Sequence, residues 1–117
     1  MELNLFELFK RKKVILRNQK DDRIYRYLGA RIKENGDLLI EGQDLGSGVE
    51  DAFGCAEYEW YWTIKVKDLH LFNQALGFSG NILCLLKIYF SNENAVELYQ
   101  FMKKNNIPFD SYSRIGD

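Results

Sequence analysis

Few residues in this chain can do covalent or metal chemistry, and they are scattered. His70 is the only histidine, and the only cysteines are Cys55 and Cys84. Any Ser-His-Asp or Cys-His device would have to be built on His70. That residue falls in the first turn of an expected helix, where a surface or capping role is ordinary. Cys55 lies between acids, which disfavour its thiolate and make it a poor nucleophile. Cys84 falls in an apolar helical pattern, where a buried free thiol is the usual state. The two cysteines could also pair. One histidine and two separated cysteines lack the spacing of a zinc site. Asp44, Glu50, Asp51 and Glu57 could hold Mg²⁺ or Ca²⁺, but their spacing is not the alternate-residue pattern of a calcium loop. No motif supports a carboxylate pair for glycoside hydrolysis. Gly46-Ser47-Gly48 lacks the Gly-Lys-Ser/Thr end of a phosphate loop and sits among acids that would repel phosphate. We therefore expect no catalytic residue, no metal and no cofactor, and do not expect an enzyme.

Charge placement says more. Lys and Arg total 16 and Asp and Glu 17, a net charge of −1, but the signs are segregated along the chain. From Lys10 to Lys33 there are 10 basic residues, opposed only by Asp21 and Asp22. From Glu34 to Ile64 there are 8 acids and no Lys or Arg. Neighbouring strands can pair these blocks, which stabilises a sheet modestly. Alternatively, the segment from Asp44 to Glu57 and the Glu57/Glu59 face form an acidic surface that attracts a basic partner. Tyr61 shares that face and is of the residue type that anchors interfaces. Tyr58, Trp60 and Trp62 alternate with it, and core packing accounts for them. Tyr25 and Tyr27 interleave the basic block as in a single-strand-binding sheet. The balanced total charge and the lack of an RNP-type aromatic signature argue against nucleic acid.

The elements that must position these residues can be read from periodicity. Leu3, Leu5, Phe6, Leu8 and Phe9 predict a short first helix, ending in the basic run Lys10-Arg11-Lys12-Lys13. Val14-Ile15-Leu16 predicts a first strand and Asn18 to Asp22 a polar turn. From Arg23 to Lys33 the side chains alternate, with Ile24, Leu28, Ala30 and Ile32 on one face and Arg26 as the exception. Asn35-Gly36 predicts a type I′ hairpin turn, and Leu38 to Gly42 the return strand. A glycine-rich loop follows from Gln43 to Gly48, then one helical turn from Val49 to Phe53 closed by Gly54. Glu57 to Lys67 reads as a third strong strand. Asp68 can cap a helix to Leu76 with Gly77 as its stop. Asn81 can cap a second helix through Phe90, and Ser91 or Asn92 a third through Lys104. The apolar stripe of that third helix is Ala95, Val96, Leu98, Tyr99 and Met102. Ile107-Pro108-Phe109 starts an extended tail that can add an edge strand. This order predicts an α+β fold, an antiparallel β-meander sheet packed against helices on one face.

The chain has 117 residues, 46% hydrophobic and 28% charged. Those totals fit one globular domain, residues 1–117, that needs no disulfide or metal staple. The longest apolar stretch, Ile82 to Phe90, is interrupted by Lys87 and far short of the roughly 20 residues of a membrane span. The first residues start acidic and lack a small-residue cleavage site, so no secretory signal is expected. We expect a reduced, cytoplasmic protein with no membrane contact.

The string Gly36-Asp37-Leu38-Leu39-Ile40-Glu41-Gly42-Gln43-Asp44-Leu45-Gly46 resembles the hallmark of a family of small bacterial proteins. Val49 to Gly54, Glu57 to Thr63, and Ile107 to Phe109 with Ser113 to Asp117 continue the likeness, while Ser111-Tyr112 departs from the Phe-Trp-like pair of that pattern. The family resembles the immunity proteins of contact-dependent growth inhibition and other polymorphic toxin systems. The resemblance implies a cytoplasmic protein that binds the toxin domain of a sibling cell, in many cases a nuclease, and occludes its active site. Since a nuclease site is basic, the expected contact residues are Glu41, Asp44, Glu50, Asp51, Glu57, Glu59 and Tyr61. The rival expectations are a small ligand-binding module or enzyme with its site at the Gly42–Gly54 loop, and a structural domain that only dimerises.

Overall fold

The computed structural model describes residues 12–54 and 56–116; the expected first helix, Lys10, Arg11 and Cys55 lie outside them. Five strands form one sheet in chain order: β1 (Lys13–Lys20), β2 (Tyr25–Ile32), β3 (Leu38–Leu45), β4 (Glu57–Ile64) and β5 (Asp110–Gly116). Every neighbouring pair is antiparallel. Helix α1 (Ser47–Phe53) joins β3 to β4. Between β4 and β5 come a 3₁₀ turn (Val66–Asp68), α2 (His70–Leu76), α3 (Ile82–Tyr89), a second 3₁₀ segment (Asn92–Glu97) and α4 (Leu98–Lys104). The α+β meander is therefore as expected from the sequence. None of the described helices is long and apolar enough to cross a membrane.

Alternation decides what the sheet buries. In register, Ala30, Ile40 and Trp62 form one row and Ile32, Leu38 and Ile64 the next. Every strand residue of the packed core belongs to this inner face, and Phe72, Leu86, Leu98 and Met102 of the helices are fully buried against it. Fully burying an aliphatic or Phe side chain contributes roughly 1.5–3 kcal/mol, so these rows set where the helices dock.

Several local expectations are corrected. Strand β1 runs to Lys20, not Leu16, and the turn falls at Asp21, whose Oδ1 accepts from the amides of Arg23 and Ile24 at 2.8 Å each. The Asn35-Gly36 turn is not type I′, because only Gly36 takes a positive φ, of 92°. Gly36 N–H donates to the Lys33 carbonyl (2.9 Å) and Lys33 N–H to the Asp37 carbonyl (2.8 Å). That is a type I turn followed by a glycine bulge. Asn35 is held there by its Oδ1, which accepts from Asp37 N–H at 3.0 Å. Much of the expected glycine-rich loop is strand, since β3 continues to Leu45. Strand β4 stops at Ile64, not Lys67, because Val66 N–H turns to the Asp37 carboxylate at 2.9 Å.

Asp68 caps no helix; it lies in the 3₁₀ turn. The expected single helix to Lys104 is a 3₁₀ segment followed by α4, and neither Ser91 nor Asn92 supplies a side-chain cap. Asn81 does cap α3, accepting from Leu83 N–H (2.8 Å) and Cys84 N–H (3.4 Å), a contribution of about 1 kcal/mol. Gly54 and Gly77 close α1 and α2 in the left-handed conformation. Cys84 is exposed, not buried. The helix packs through Ile82, Leu83, Leu85 and Leu86, which turns Cys84 outward. Ile107 is buried in the core, and the edge strand starts three residues later.

Candidate functional site

The outer face of β3 and β4 gathers part of the predicted acidic surface. Glu41 lies opposite Tyr61, and Gln43 opposite Glu59. The Gln43 amide donates to Glu57 (3.1 Å) and to Glu59 (3.3 Å). The Tyr61 hydroxyl donates to the other Glu59 oxygen at 3.1 Å. Arg114, directly opposite Glu59 on β5, approaches the same oxygen at 3.4 Å. Hydrogen bonding with the Glu57 carboxyl, reinforced by Tyr61, Arg114 and Gln43, holds the Glu59 carboxyl below its usual range. Burial and then the Glu59 hydrogen bond push the Tyr61 phenol above its usual range. The Tyr61 ring meets Tyr112 at 6.0 Å between centroids, so the C-terminal strand does carry an aromatic contact.

The other predicted residues go elsewhere. Glu50 and Asp51 sit on α1, beyond the Leu45–Glu57 end of the β3–β4 pair, and both are exposed. Asp51 is ion-paired with Arg23, and Glu41 with Arg31 at 3.0 Å. Asp44 faces the opposite side of the sheet. Both readings of the segregated charge are thus represented: basic and acidic blocks do meet across strands, yet an acidic, aromatic-bearing face survives around Glu57, Glu59 and Tyr61. Exposed pairs of this kind contribute at most about 1 kcal/mol.

The glycine-rich segment is explained by packing. A Cβ on Gly46 would stand 2.3 Å from the Arg23 carbonyl oxygen, and Gly46 has a φ of 118°. Gly48 N–H donates to that same carbonyl at 3.1 Å. These glycines let the β3–α1 connection close on the β1–β2 turn. His70 Nδ1 lies 2.9 Å from the Lys67 carbonyl and donates to it, a local capping contact. Among the described residues, no group of His, Cys, Asp and Glu is placed to hold a metal ion.

Periodicity gives no sign of a cleft of about 520 Å³ on the inner face, between the sheet and the second 3₁₀ segment with the start of α4. Its floor is Trp60 and Trp62, with small residues on both sides of Trp60 and on the β5 side of Trp62. Gly42 and Ser113 neighbour Trp60 in register, and Ser111 neighbours Trp62. Its wall is Val96 and Tyr99, 65% and 39% exposed, which the helical stripe had assigned to the core. Its polar end is Arg17, Arg26 and Asp44. Arg26 and Asp44 are direct cross-strand neighbours. Arg17 arrives through a β-bulge between Ile15 and Arg17. By simple alternation Arg17 would point outward with Ile15, and the extra residue turns it to the inner face. The one sequence signal was Arg26 interrupting an apolar row.

Burial pushes the Asp44 carboxyl above its usual range, against the pull of Arg26 and then Arg17. The folded state therefore loses stability as pH rises from the unfolded carboxylate value, 3.8, through the raised folded one. We predict that Asp44→Asn stabilises the protein at neutral pH. The difference in Tm from the wild type should grow across that window and vanish below it. A Tm difference independent of pH would mean that the Asp44 charge is not the cause.

Comparison with protein-family models, with curated proteins and with solved structures finds no match for this chain.

Proposed function

We propose that this chain is an immunity-type binding protein that docks a basic toxin domain, of the nuclease class, on the outer face of β3 and β4 and occludes its active site. The observation that carries this reading is the arrangement of Glu57, Glu59 and Tyr61. Three side chains are held by one hydrogen-bond network on a sheet face that contributes nothing to the described core. A fixed carboxylate array suits Lys and Arg side chains that must hold phosphate in the absence of the inhibitor. Tyr61 and Tyr112 supply amphipathic contact area beside it. The class of partner comes from the sequence resemblance, and the charge layout is consistent with it. No catalytic role is assigned to any residue.

The test is a tagged copy expressed at native level in its own cells. The co-purifying protein is identified by mass spectrometry and assayed for nuclease activity with and without this chain. The expected result is a stoichiometric toxin domain whose activity falls to background in the complex. A bare protein, or a partner whose activity is unchanged, overturns the proposal.

A further inference from the structure

The inner-face cleft lies on the side of the sheet opposite the proposed docking surface and is independent of it. Its construction is specific. Large aromatics normally fill the space above a sheet, but here Trp60 stands between two small neighbours, Gly42 and Ser113, and Trp62 has Ser111 on its β5 side and Ile40 on its β3 side. The Trp60 ring lies flat across Gly42, where a Cβ would fall 1.9 Å from its Cε2. Tyr58, Trp60, Trp62 and Tyr99 follow one another at centroid separations of 5.4, 6.3 and 5.5 Å. The result is an aromatic trough with an exposed apolar wall, not a filled core. Pockets of roughly 300–1,000 Å³ with aromatic linings and a few placed polar groups are the usual form of small-molecule sites.

The polar end decides the charge of the ligand. Two guanidiniums face one carboxylate, and Asp44 is the group that burial disfavours as an anion. Arg26 makes no close ion pair among the described residues, and the Arg17 Nε–H donates to Gln19 at 2.5 Å, leaving its terminal nitrogens for another acceptor. Trp60 Nε1 is the one buried side-chain polar atom without a hydrogen-bond partner among the described residues; it lies on the Gly42 side of the ring, so its N–H reports how the indole is seated.

We propose that this cleft is a binding site for a small aromatic carboxylate, its ring stacked in the Trp60–Trp62–Tyr99 trough and its acid group bridged by Arg26 and Arg17. An anion would neutralise the excess cation, and a planar ring would cover the exposed wall.

Indole-3-acetate is the probe, with tryptamine, the same ring carrying a cation, as its counterpart. The titration is followed by the two tryptophan indole N–H resonances, assigned with Trp62→Phe. Saturable shifts of the Trp60 signal are expected at or below about 1 mM indole-3-acetate, with tryptamine at least about tenfold weaker. Arg26→Gln should weaken the acid about tenfold or more through loss of a charge-assisted bond. Val96→Glu, at an exposed position that leaves the core intact, should weaken the acid through like charge, while Val96→Lys should not. Equal binding of tryptamine, or no saturable shift in the folded wild type, overturns the assignment. Retained acid affinity in folded Val96→Glu and Arg26→Gln overturns it as well.

Discussion

Glu57→Lys combined with Glu59→Lys is expected to slow association with the proposed basic toxin domain by about 10–10³-fold at low ionic strength and to abolish protection. Glu59 is the hub of the outer face, with both carboxylate oxygens engaged, by Gln43 on one side and by Tyr61 and Arg114 on the other. Reversal replaces attraction by repulsion and breaks the network that fixes Tyr61. It also sets a lysine opposite Arg114, so circular dichroism must show that the sheet is retained. The milder Glu57→Gln/Glu59→Gln pair should give an intermediate on-rate. Added salt should shrink the wild-type advantage, since the Debye length falls to about 8 Å at 0.15 M. Asp44→Lys is the control, because Asp44 faces the other side of the sheet. An unchanged on-rate in the folded double reversal, or equal slowing by Asp44→Lys, refutes the outer face as the docking surface.

Gly42→Ala is expected to destabilise the fold by about 3 kcal/mol, at the upper end of overpacking costs. For a domain of this size that lowers Tm by roughly 10 °C. The cause is local: the new methyl would sit 1.9 Å from Cε2, 2.2 Å from Cζ2 and 2.5 Å from Nε1 of Trp60. The indole must leave its position over the sheet, because the Gly42 backbone is tied into β3 between β2 and β4. The contact is isolated by a double-mutant cycle. In a Trp60→Ala background the same Gly42→Ala change should cost little, since nothing then occupies the space. Thermal unfolding of the four proteins measures this directly. An equal loss in both backgrounds would trace the effect to the glycine backbone and not to the ring.

Much of this architecture was legible before any coordinates. Glu57 to Ile64 alternates cleanly, so Tyr61 falls beside Glu57 and Glu59 and away from Trp60 and Trp62 by simple parity. The caps at Asn81, Gly54 and Gly77 are legible because each acts within a few residues of itself, whereas Asp68 and Ser91 or Asn92 cap no α-helix because 3₁₀ segments form at those positions. Boundaries were less legible. Strand β4 ends at Ile64 because Asp37, far back in the chain, captures the Val66 amide. Cys84 is outward because α3 docks through Ile82, Leu83, Leu85 and Leu86, a choice that periodicity alone left open. Asp44 stands near Glu41 and Glu57 in sequence, but strand pleating puts it on the other face of the sheet.

The sequence by itself determined the order of strands and helices, the two faces of β2 and β4, and the segregation of charge. These follow from side-chain period and from local capping chemistry, which depend only on near neighbours. Only the tertiary structure decided which acids share a surface with which cations, that a bulge turns Arg17 inward, and that small residues on β3 and β5 leave a hollow over Trp60 and Trp62. Those features depend on strand register and on where the helices stop covering the sheet. Both are set by packing between segments tens of residues apart, and no local pattern records them.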